Sequence, residues 1–253
     1  SVEIKREYIE ANKSKEEEQN EFIMGIVTPI VIFPFFMLIT LVVQMVGAEI
    51  NEEKSTRSME IIISNVPAKV HFFSKILAAN LFVIIQCALL GLYSIIGMLL
   101  RGGKSLDSIQ NVDVISNVTS GMDITGMINN LVGYIPLVLI LMAVTLLGYS
   151  LLAGILASMT TNMEDFQQLQ TPIFVVSLVG FYLAIMNTMF DGAIFIRVLS
   201  YVPFISAILS PSLLVTGVIG FKDIILSILL MVVVIYLLLK YGLKIYKEGI
   251  LNY

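Results

Sequence analysis

Charge is what this sequence has least of. Of its 253 residues only 13% are Asp, Glu, Lys or Arg, against 57% hydrophobic, and the mean hydropathy is +0.92. A soluble domain carries about 25% charged residues. Half that supply leaves too little polar surface to cover a globule in water, so the solvent this composition calls for is lipid. A net charge of −4 gives no basic footprint for a nucleic acid. The single cysteine, Cys87, lies inside an apolar run; it cannot form an internal disulfide and reads as packing. The single histidine, His71, leaves any chemistry that needs a histidine pair without its second member. No signal peptide is visible, and the polar opening at Ser1 reads as a start partway into a longer gene product.

The hydrophobic residues are gathered into long runs. A crossing needs about 20 apolar residues at about 1.5 Å rise each. Runs of that kind lie near 22–47, 72–100, 134–160, 172–190 and 224–239. Pro29 and Pro34 fall in the first, where they predict a bend. Pro172 opens the fourth, where it suits the start of a helix. Residues 1–21 hold seven acids and four bases and read as a solvated segment outside the bilayer. Residues 191–220 are mostly apolar but contain Asp191, Arg197, Pro203 and Pro211, which fit two short helices of a re-entrant hairpin better than one crossing. The fold expected is an all-α, polytopic transmembrane bundle: about five spans plus that hairpin, occupying 22–253 as one transmembrane domain.

Orientation follows from Lys and Arg. With loop 48–75 and the C-terminal tail in the cytoplasm, that side holds Lys54, Arg57, Lys69, Lys75, Lys240, Lys244 and Lys247. The opposite loops hold Arg101, Lys104, Arg197 and Lys222, and the four bases of residues 1–21 erase the bias.

The polar stretch 49–71 between the first two spans is the most informative. Read as a helix, it puts Met59, Ile62, Ile63 and Val66 on one face and Glu53, Arg57, Ser58 and Glu60 elsewhere. Pro67 ends it. By periodicity alone an ordinary interfacial linker has the same signature.

The string over 49–77, EINEEKSTRSMEIIISNVPAKVHFFSKIL, resembles the cytoplasmic connection of ABC-2-type transporter permeases. The matching positions are the acidic and basic start (Glu52, Glu53, Lys54), Arg57, the Met59–Ser64 core, Pro67, and the entry Lys75-Ile76-Leu77 to the next span. Ser74 stands where that family usually has Gly. The tail Tyr246–Tyr253 is similar as well, and the branch most alike is the sodium-efflux type. The resemblance implies that 49–71 is a coupling helix docking on a separate ATP-binding subunit. It assigns coupling contacts to Glu49, Glu52, Glu53, Lys54, Arg57, Met59, Glu60 and Pro67. ATP and Mg would then be bound by that partner, with no cofactor in this chain. A second permease subunit, identical or different, would complete the path in a bacterial plasma membrane. The family's usual earlier span and extracellular region imply that 1–21 lies outside and that a first span precedes it.

Competing motifs carry less. Gly103-Lys104-Ser105 resembles the end of a P-loop, but the earlier glycine position is Met98, inside a span; no ATPase motif is complete. Asn117-Val118-Thr119 fits a glycosylation acceptor. Glu52-Glu53-Lys-Ser-Thr-Arg57 matches an element of intramembrane glutamate-type proteases, which also need histidines to help activate water. This protease class is one alternative; a secondary transporter is the other. A coupled carrier places a carboxylate at membrane depth, whereas the acids here (Glu49, Asp191, Asp223) stand at span ends. The polar residues inside spans are Gln44, Asn80, Gln86, Thr145 and Asn187, candidates for a translocation path or for interhelical hydrogen bonds. Ser150, Gly154 and Ser158 form a small-residue stripe suited to close helix packing. No metal site is expected.

Overall fold

The computed structural model describes residues 15–100, 124–187, 194–215 and 217–251. Residues 1–14, the loop holding Lys104 and Asn117, and Asp191 lie outside the described residues.

The regular structure of the described residues is all helical: α1 Lys15–Ser55, α2 Ser58–Asn65, α3 Ala68–Leu100, α4 Ile124–Met159, α5 Met163–Ile185, α6 Ile194–Leu199, α7 Ser206–Val215, α8 Phe221–Leu237, a π-helical turn Leu238–Gly242, and α9 Leu243–Gly249. Five stretches are long and apolar enough to cross a membrane: Ile32–Ser55, Ala68–Gly97, Gly133–Met159, Met163–Ile185 and Phe221–Gly249.

Each span shows one packed stripe and an apolar remainder. On α1 the buried residues are Ile32, Phe36, Ile39, Val43, Val46 and Ile50; on α3 they are Phe72, Ile76, Ala79 and Val83. These steps of three and four trace one face of a helix. The rest of α3 exposes Leu81, Ile84, Ile85, Leu92 and Leu99. In water that would be an aggregating surface; in lipid it is the solvated one. Helix α4 is the hub. It packs on α1, α3, α5, α7, α8 and α9, while α7 fills the space between α1, α4 and α5. Its small residues permit close approach. A Cβ on Gly154 would come within 2.8 Å of the Phe72 ring, and Ser150 and Ser158 are fully buried beside it.

Two boundaries differ from those read in the sequence. The first span does not end near residue 47: α1 continues unbroken to Ser55, through both prolines, because Ile50, Asn51 and Lys54 are covered by the rest of the chain. Helix α5 starts at Met163, well before Pro172. Asn162 is its N-cap, accepting the Asp165 amide at 2.8 Å, with Glu164 and Asp165 in the first turn. Pro172 is accommodated inside α5, as prolines in membrane helices are when neighbouring helices and side chains satisfy the freed carbonyl.

On the side where α5 ends and α8 begins, α6 and α7 form two short helices over 194–215. Asp223 ties α6 to α8. Its carboxylate accepts the Gly220 amide at 2.8 Å and the Arg197 guanidinium at 2.9 Å, and the Tyr201 hydroxyl donates to it as well. Burial, and then that bond to Asp223, raise the Tyr201 phenol above its usual value.

Candidate coupling site at the helix ends

Three helices end together. The C-termini of α1, α4 and α9 meet on the side from which α2 projects, each presenting carbonyls without intrahelical partners. Lys54 sits among them and is 4% exposed. Its ammonium donates to the Ser158 carbonyl at 2.7 Å and the Gly249 carbonyl at 3.0 Å. One cation therefore neutralises the negative ends of converging helix dipoles, which is what makes burying it tolerable. Beside it, Asn51 accepts the Thr160 hydroxyl at 3.1 Å and donates to the Gly47 carbonyl at 3.2 Å.

One turn away runs a second network. Glu53 places Oε1 at 2.6 Å from the Lys75 ammonium and Oε2 at 2.7 Å from His71 Nε2. Lys75 also pairs with Glu49 at 2.8 Å. The other ring nitrogen of His71, Nδ1, is 2.7 Å from the Tyr246 hydroxyl. A carboxylate only accepts, so in a neutral ring Nε2 carries the proton and Nδ1 accepts from the phenol. His71 and Tyr246 are both buried, and the Tyr246 ring packs on Phe72 with centroids 4.4 Å apart. This chain of contacts joins α1, α3 and α9.

Helix α2 hangs from these ends by Arg57, whose φ of 57° turns the chain sharply between α1 and α2. Met59 is 0% exposed and anchors α2 inward, with Ile62, Ile63 and Val66 half-buried. Glu52, Arg57, Glu60 and Pro67 are exposed, and so is Ile61, at 71%.

The eight residues assigned to coupling thus divide. Glu52, Arg57, Glu60 and Pro67 face outward. Glu53, Lys54 and Met59 are committed to contacts within the chain, and Glu49 is exposed but paired with Lys75. The sequence reading missed His71, Lys75 and Tyr246 as members of a network. The partners stand 18 and 175 positions apart, a separation no local period marks. A lone histidine flanked by apolar residues was the available signal.

The five polar residues inside spans have different surroundings. Asn80 donates to the Ser150 hydroxyl at 2.9 Å, joining α3 to α4. Asn187 reaches the Ser212 hydroxyl at 3.4 Å, next to α7. Thr145 is fully buried in α4 with its hydroxyl unpartnered among the described residues, and Gln86 is half-buried on α3. Gln44 is exposed and lines a cavity of about 230 Å³ between α1 and α5, walled on its apolar side by Ile39, Val43, Ile173 and Phe174. Among the described residues, no group of three or more His, Cys, Asp or Glu is arranged to hold a metal ion. The arrangement as a whole is a charged joint at one end of the bundle, carrying a projecting turn.

The model of the ABC-2 family transporter proteins matches residues 2–242. The uncharacterized protein YhaP of Bacillus subtilis (strain 168) is 31% identical over 245 residues, which are 95% of this chain and 54% of that protein. The chain therefore spans about half the length of that relative. No solved structure matches. A family match over nearly the whole chain, on an all-helical bundle with five candidate crossings, leaves one assignment: this multi-pass membrane protein belongs to the ABC-2 family of transporter proteins.

Proposed function

We propose that the chain is the membrane-spanning permease subunit of an ATP-driven exporter and that α2 with its flanking turns is where a separate ATP-binding subunit docks. The observation that carries this is the two-sidedness of the turn. Met59 and Glu53 bind it to the bundle while Glu52, Arg57, Glu60 and Ile61 are left outside. An apolar residue at 71% exposure among charges, beyond the apolar stretches, has the composition of a docking surface rather than of a lipid face. A push on α2 reaches α1 directly, and α3 and α9 through Glu53, His71 and Tyr246. ATP and Mg belong to the partner, and two permease subunits, alike or different, form the path. The docking side is cytoplasmic and the membrane a bacterial plasma membrane. Export of sodium or of a small toxic compound rests on the branch resemblance of the 49–77 motif alone.

The protease alternative is disfavoured by the same geometry. Both oxygens of Glu53 are engaged, one by Lys75 and one by His71, so neither is free to activate water.

The test is co-expression of the full-length gene with its ATP-binding subunit, followed by purification and ATPase assay. Glu52, Arg57 and Glu60 replaced together by alanine is expected to abolish co-purification while the permease stays folded. Retained co-purification and wild-type ATPase activity in that triple variant would overturn the docking assignment.

A further inference from the structure

The last span carries its basic residues on one face. Met231, Gly242, Tyr246 and Ile250 are buried and mark the side of α8 and α9 that packs on α4. Residues recurring at every fourth position drift by about 40° per step round a helix of 3.6 residues per turn. The wider π turn Leu238–Gly242 takes up part of that drift, so the inward side stays inward as far as Ile250. The outward side keeps its line for the same reason. Leu229, Val233 and Tyr236, then Lys240, Lys244 and Lys247, follow one another in steps of four and three, and all are exposed.

Depth decides what this face meets. Between Asp223 and Lys240 the chain has no charge. At about 1.5 Å per residue that is about 25 Å of helix, most of a hydrocarbon core of roughly 30 Å. Lys240 therefore stands at the edge of the core. Lys244 and Lys247 lie about 6 and about 10 Å farther along, at the level of the headgroups. Tyr236 and Tyr241 are exposed near the same edge, where tyrosines suit the interface, and the Lys240 ammonium is 5.4 Å from the centre of the Tyr241 ring. The segment from Leu238 to Gly249 holds these three lysines and one acid, Glu248. None of the four belongs to an ion pair among the described residues.

A row of unpaired ammonium groups that continues an apolar, lipid-facing row has one complementary neighbour in the bilayer. We propose that Lys240, Lys244 and Lys247 bind the phosphate of an anionic phospholipid whose acyl chains lie along Leu229, Val233 and Tyr236. The face looks sideways into lipid, in continuity with α8, whereas the turn at α2 projects beyond the ends of the helices. The lipid would grip α9 from outside, on the helix whose Tyr246 and Gly249 close the joint from inside. The proposal needs only that the chain crosses a membrane and does not depend on what docks at α2.

The experiment is fluorescence quenching by brominated lipids in nanodiscs. These 253 residues contain no tryptophan, so Tyr236→Trp sets a reporter on the stripe, with the emission of the unsubstituted full-length protein subtracted. Dibrominated phosphatidylglycerol is expected to occupy the site about fivefold better than dibrominated phosphatidylcholine at low salt. Near 1 M salt, where the screening length falls to about 3 Å, the two should become equal. Replacing Lys240, Lys244 and Lys247 together by Gln should abolish the preference, while Lys222→Gln, at the other end of the span, should leave it intact. Equal quenching by both lipids in wild type at low salt overturns the proposal. So does a preference that survives the triple substitution or about 1 M salt. If the triple variant keeps its lipid preference but no longer co-purifies with the ATP-binding subunit, the stripe is a protein contact and the lipid assignment falls.

Discussion

The imidazole of His71 and the phenol of Tyr246 meet at 2.7 Å across 175 positions of chain, the first at the start of α3 and the second in α9. Both are buried, so each is the other's substitute for water. Tyr246→Phe keeps the ring on Phe72 and removes only the hydroxyl. It is expected to lower stability by about 1–2 kcal/mol, read from thermal unfolding in nanodiscs. Combined with His71→Phe, the two losses should fall short of additivity by about 1 kcal/mol; strict additivity would show that the contact carries no energy.

Lys54→Met keeps most of the buried stem and deletes the charge. The Ser158 and Gly249 carbonyls then lose their shared donor. A loss of about 1.5–3 kcal/mol is expected, the range for hydrogen bonds to a charged group. Limited proteolysis should show α9 released first, because its last carbonyl is one of the two set free. Unchanged protease resistance there would argue against the joint.

Two glycines make opposite predictions from one substitution. At Gly249 a Cβ would lie 2.6 Å from the Ser158 carbonyl oxygen, a backbone atom that cannot rotate away. Gly249→Ala should cost about 1–3 kcal/mol. At Gly91, inside α3, a Cβ meets nothing within 4 Å among the described residues. Gly91→Ala should stabilise by up to about 1 kcal/mol through helix propensity. Parallel thermal melts of the two variants decide it.

Asp223 and Arg197 are partners of unequal weight. The Arg197 side chain is 53% exposed, that of Asp223 10%, and Asp223 also serves the Gly220 amide and the Tyr201 hydroxyl. Asp223→Ala should lower the unfolding midpoint clearly, with the loss of the cap alone about 1 kcal/mol. Arg197→Ala should barely move it, as exposed pairs contribute little. Equal effects would mean that the Arg197 ion pair, and not the cap or the Tyr201 bond, carries the contribution of Asp223.

The bundle was legible because lipid imposes a coarse rule: long uncharged runs must be helices. The inward face of α2 was legible too, since Met59, Ile62, Ile63 and Val66 follow a local period. What escaped was anything decided by a distant partner. Lys54 and Asn51 look like solvated residues of a linker, and only Ser158, Thr160 and Gly249 make them interior. The start of α5 was readable in Asn162 and Asp165 but was masked by Pro172, a conspicuous residue in a permissive place. Gln170 could have been noticed as the one amide on the buried stripe of α5. It falls between the runs read at 134–160 and 172–190, because the sequence reading starts that helix at Pro172 and the structure starts it at Met163.

The ammonium at the joint also has a history within each molecule's synthesis. Lys54 leaves the ribosome 195 residues before Gly249, and its other acceptor, Ser158, arrives between them. Until the last span has been threaded into the bilayer, that cation has half of its seat and stays at the wet interface. The joint therefore shuts last. A chain whose final span fails to insert would leave an open, charged seam where α1 and α4 end.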